Sequence, residues 1–84
     1  MNLFCRVCGF KHDEPQWGDD DHSPIYDYCP CCGVESGNHD YTVKSVKRYR
    51  EFWIHNGLKW DNPRLKPENW SPEIQMDNVP FEFR

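Results

Sequence analysis

Eighty-four residues with a formal charge of −4 and 37% hydrophobic content hold at most one domain around a small core. The acidic balance argues against a general nucleic-acid binder or a membrane-surface helix, and no apolar run approaches the roughly eighteen residues of a membrane span. A chain this small needs a staple, and five cysteines, an odd number, count against a disulfide framework.

Residues 2–10 read as a short strand running into Cys5-Arg6-Val7-Cys8-Gly9, with Leu3 and Phe4 as core candidates. From Lys11 to Ser23 the chain is polar and turn-rich, and Pro15 and Gly18 exclude a helix there. The run Asp19-Asp20-Asp21 lacks the alternating oxygens and distal glutamate of a calcium loop, so it reads as solvated. Trp17 is expected to pack over a metal site. Pro24-Ile25-Tyr26-Asp27-Tyr28 alternates apolar and polar, the pattern of a second strand, and leads into Cys29-Pro30-Cys31-Cys32-Gly33.

The two cysteine stretches mirror each other: both read Cys-x-x-Cys-Gly followed by an apolar residue, Phe10 or Val34. A two-residue gap lets one tight turn aim both sulfurs at a single ion, and the glycine accepts the positive φ that ends the turn. Freed backbone N–H groups can then donate to the thiolates. Cys5, Cys8, Cys29 and Cys32 are therefore taken as the metal ligands. Structural zinc binds zinc-finger peptides with roughly 10–16 kcal/mol, enough to staple such a chain. Cys31 is a spare thiol, either a plain knuckle-tip residue or one with a redox or alternative-ligand role beside the cation.

These features resemble the rubredoxin-like zinc ribbons: the paired knuckles, Pro-x-Trp-Gly-Asp at 15–19, Ser-Pro-x-Tyr at 23–26 and Cys-Pro-x-Cys-Gly at 29–33. The chain is most similar to small bacterial cysteine-rich proteins of the family named for its Cys-Pro-Cys-Cys run, over about residues 4–55. The resemblance implies a metal-stapled fold and supplies no reaction; some related small proteins sit beside toxin genes, which suggests immunity or partner-binding roles.

Residues 43–55 carry a helical period, with Val43, Val46, Tyr49 and Trp53 in one stripe flanked by Phe52 and Ile54. Asp40 or Thr42 can cap its start and Gly57 its end. Lys44, Lys47, Arg48 and Arg50 invite a nucleic-acid reading, but a solvated basic face fits an acidic chain better. Beyond Leu58 a proline-punctuated arm contains Ser71-Pro72-Glu73, a strong helix start that opens two turns to about Asn78. Phe81-Glu82-Phe83 reads as a short closing strand. Trp60 and Trp70 suggest that the arm wraps back over the ribbon.

The expected fold is thus α+β, one domain over 1–84: a metal-stapled ribbon (1–40) with two knuckles on short antiparallel strands, a main helix (41–57) and a C-terminal arm with a short helix (58–84). Four cysteines close a zinc site to water, and His12, His22, His39 and His55 show no catalytic spacing, so no enzyme is expected. The expected function is a structural Zn2+ protein of the cytoplasm, monomeric or weakly dimeric, that binds a protein partner. Iron in the same four-sulfur set, as in a rubredoxin-like electron carrier, is the alternative, followed by a nucleic-acid-binding ribbon.

Overall fold

A computed structural model describes residues Met1–Arg84. The main helix, α1, spans Val43–His55, the range that the apolar period marks out. Thr42, rather than Asp40, is its cap: the Thr42 side chain accepts the Ser45 N–H at 3.0 Å. Gly57, at φ +93°, turns the chain out of the helix. Val46 and Trp53 are buried, whereas the flanking Phe52 and Ile54 are exposed.

The α+β expectation is overturned. There is no strand and no sheet; each knuckle contributes a lone antiparallel bridge, Phe4 with Lys11 and Tyr28 with Glu35. The alternation over 24–28 fails as a strand because Tyr26 sits at φ +57°, in the left-handed region that an extended ladder excludes, and Pro24 brings no N–H. Phe81–Phe83, expected as a closing strand, is a 3-10 turn. The helix after Ser71, α2, is shorter than expected: it covers Pro72–Met76, with Ser71 capping Ile74.

In place of a sheet, two knuckles repeat one hydrogen-bond pattern at an offset of twenty-four positions. Cys5 N–H donates to Phe10 O, Gly9 N–H to Cys5 O and His12 N–H to Leu3 O; Cys29, Gly33 and Ser36 donate likewise to Val34, Cys29 and Asp27. The three carbonyls inside each knuckle point outward and must find donors elsewhere. In the first, Arg50 serves Arg6 O and Val7 O, and Gln75 serves Cys8 O. In the second, the backbone N–H groups of Asn62 and Asp61 serve Pro30 O and Cys31 O, and the Tyr49 hydroxyl serves Cys32 O. Helix and arm are thus bound to the knuckles by carbonyl capping, which does the work that strand pairing would do in a sheet.

The arm is packed down. Trp60, Val79 and Phe83 join the cysteines, Val7, Val34, Val46 and Trp53 in one core. Trp60 meets Trp70 edge-on at 5.3 Å and Phe10 at 5.7 Å, arrangements that add about 0.5–1.5 kcal/mol each beyond burial. The radius of gyration, 11.6 Å, matches the roughly 12 Å expected of a fully folded chain of this length.

Candidate metal centre

Each knuckle turn presents two sulfurs inward, and the facing of the two knuckles brings all four together. Cys5 Sγ lies 3.7 Å from Cys32 Sγ, and Cys8 Sγ 3.6 Å from Cys29 Sγ; the four sulfurs all lie within 4.8 Å of one another. A tetrahedral ion with metal–sulfur bonds of about 2.3 Å requires sulfur–sulfur edges of about 3.8 Å. The four cysteines are therefore placed to bind a metal ion, and the donor set fits one. All four are at most 6% exposed. Which metal they take is a matter of chemistry that zinc and iron share.

Proximity divides the thiols. Hydrogen bonding from Cys29 draws Cys5 well below its ordinary value, and hydrogen bonding from Cys32 draws Cys29 down to about 7. Burial pushes Cys8 and Cys32 well above theirs. The Val7 N–H reaches Cys5 Sγ at 3.4 Å, the one backbone donation of the anticipated kind to a ligand sulfur.

Cys31 lies outside this set. Its side chain is fully buried, and its sulfur accepts from Gln75 Nε2 at 3.3 Å, so it belongs to the seam between the second knuckle and α2. Trp17, expected over the site, is buried but stands outside the core cluster that holds the cysteines. Its ring carries the Arg6 guanidinium at 3.8 Å, which faces Phe83 at 4.4 Å on its other side. Its Nε1–H donates to buried Asp40 Oδ2 at 2.9 Å, and Asp40 Oδ1 takes the Gly37 N–H at 2.8 Å. Burial raises the pKa of Asp40 despite these donors. This polar wall encloses a cavity of about 50 Å³ that also touches Cys5, Cys29 and His12.

Three residues near the centre have roles that the sequence pattern does not mark. The sequence pattern places Arg50 on the solvated basic face, yet its guanidinium donates to Val7 O, Arg6 O and Phe83 O at 2.6–2.9 Å. Its single turn offset from the Val46–Trp53 stripe is the signal that could have found it. Gln75 and His12 carried no signal beyond their residue type. His22, His39 and His55 are not part of the sulfur cluster.

The fold and site define a small cysteine-rich protein with a closed four-sulfur centre. The chain is 32% identical, over 80 aligned positions, to the uncharacterized protein YozI of Bacillus subtilis (strain 168). The match takes in 76% of this chain and 66% of that relative's length. No family model matches the chain, and no solved structure matches it; the zinc-ribbon resemblance rests on the cysteine motifs and their flanks. No helix is long and apolar enough to cross a membrane.

Proposed function

We propose that this chain is a small zinc protein whose four-cysteine centre is structural and whose surface serves protein binding. The observation that carries the reading is the closed, buried sulfur tetrahedron: four thiolates leave a bound ion no open position for water, which a hydrolytic centre needs. The ion holds together two knuckles that have no sheet between them. Catalysis has no place in this reading. Exposed Tyr26, Tyr28 and Tyr41 support a binding role, because aromatic side chains are enriched at protein interfaces. An adaptor or immunity-type partner protein suits such a module, acting as a monomer or weak dimer. Five buried free thiols suit the reducing cytoplasm.

Metal content by elemental analysis, with a visible spectrum of protein expressed without metal supplementation, tests this reading. One zinc per chain in a colourless solution is expected. One iron with charge-transfer bands that bleach on reduction would replace it with the rubredoxin-like electron carrier.

A further inference from the structure

His12 is a buried histidine, 7% exposed, whose Nε2 has no hydrogen-bond partner. Its backbone is fixed by the first knuckle, where His12 N–H donates to Leu3 O at 2.8 Å, and its ring meets the edge of Phe10 at 5.2 Å. The repeat between knuckles makes the side chain informative. Ser36 holds the equivalent place in the second knuckle, is also buried, and uses its hydroxyl within that knuckle, accepting from Asp27 N–H at 3.1 Å. His12 makes no such local bond. It lines the same small cavity as Cys5 and Cys29.

Four thiolates around a divalent cation leave two net negative charges in a buried place, and such charge needs donors. One backbone N–H, that of Val7, reaches a ligand sulfur. Arg50 Nε and Nη2 donate to carbonyls, not to sulfur. We propose that His12 is a positioning residue of the metal centre, its Nε2–H donating to the ligand thiolates of Cys29 and Cys5 and withdrawing charge from them. The proposal rests on the four-thiolate reading above and adds to it a residue outside the sulfur set.

A thiolate relieved of a donor is a better nucleophile, so the test is site-resolved alkylation of the zinc-loaded full chain by iodoacetamide, read by mass spectrometry. His12→Phe keeps a ring against Phe10 and removes the donor. His12→Gln returns an amide N–H to the Nε2 position. Alkylation at Cys29 and Cys5 is expected to run about tenfold faster in the Phe variant, the size of one charge-assisted hydrogen bond, and near the wild-type rate in the Gln variant. Equal rates in wild type and His12→Phe overturn the proposal. If His12→Phe fails to hold zinc, ring nitrogen-15 shifts in the zinc-loaded wild type decide: a protonated Nε2 supports the assignment and a bare one overturns it. A wild-type chain that binds no metal overturns this proposal together with the reading beneath it, whereas four-sulfur metal binding with unchanged alkylation overturns the His12 assignment alone.

Discussion

Gln75 Nε2 donates to the Cys8 carbonyl at 3.1 Å across sixty-seven positions of sequence, and the same nitrogen reaches Cys31 Sγ at 3.3 Å. Its Oε1 accepts the Trp70 Nε1–H at 2.8 Å. One side chain therefore ties the arm to both knuckles. Gln75→Leu keeps the bulk and strands the Cys8 carbonyl and the Trp70 N–H, each at a cost of roughly 1–3 kcal/mol where burial denies water access. The expected result is a thermal midpoint lower by several degrees with one metal per chain retained, read by calorimetry and elemental analysis.

The same seam makes Gly9 intolerant. A Cβ there meets the Gln75 carbonyl oxygen and lies 3.2 Å from Val79 N, on backbone already at φ +80°. Gly57 is equally left-handed at φ +93° but faces open space, its closest contact being the Lys59 side chain at 4.0 Å. Gly57→Ala should cost only the left-handed penalty of about 1–2 kcal/mol. Gly9→Ala adds a backbone clash and should displace the arm, losing clearly more. Equal denaturant midpoints for the two variants would show that α2 does not rest on the first knuckle.

Protons and metal compete for the same sulfurs. Hydrogen bonding draws Cys5 and Cys29 toward the thiolate, Cys29 to about 7, while burial holds Cys8 and Cys32 toward the thiol. Zinc binding to the folded site should then release fewer than four protons per ion, the number rising as pH falls through 7 and Cys29 regains its proton. Apparent affinity accordingly weakens on acidification and falls more steeply below pH 7. Calorimetric titration in buffers of different ionisation enthalpy counts these protons; a constant four across the range would contradict the division.

Cys31→Ala distinguishes the spare thiol from the ligands. It removes a buried sulfur and one acceptor for Gln75, a loss of about 1–2 kcal/mol, and leaves metal stoichiometry at one. Cys5→Ser or Cys29→Ser removes a ligand, and because metal binding is coupled to folding these variants should lose both metal and the cooperative unfolding transition.

The sequence pattern announces whatever is local. Cys-x-x-Cys-Gly encodes its own turn and the 43–55 period its own helix, so both appear where expected, although of the apolar stripe Val46 and Trp53 are buried and Val43 is exposed. Ser71-Pro72 likewise marks the start of α2. The strands fail because alternation over 24–28 carries no mark of the left-handed turn at Tyr26, and a strand also needs a partner that this chain never extends far enough to provide. Arg50, Gln75 and His12 escape for a related reason. Their roles are defined by carbonyls and sulfurs from distant parts of the chain, and nothing in their immediate neighbours records it.

The capped carbonyls set an order of events during synthesis. Val7 and Cys8 emerge from the ribosome first, but their carbonyl donors, Arg50 and Gln75, follow forty-three and sixty-seven positions later. At about 5–20 residues per second, the first knuckle waits roughly 3–13 s for Gln75. During that interval the Cys8 carbonyl lacks its donor, whereas the knuckle's two thiols wait only twenty-seven positions for Cys32 to complete the sulfur set, so the metal centre can close well before the arm that covers it arrives.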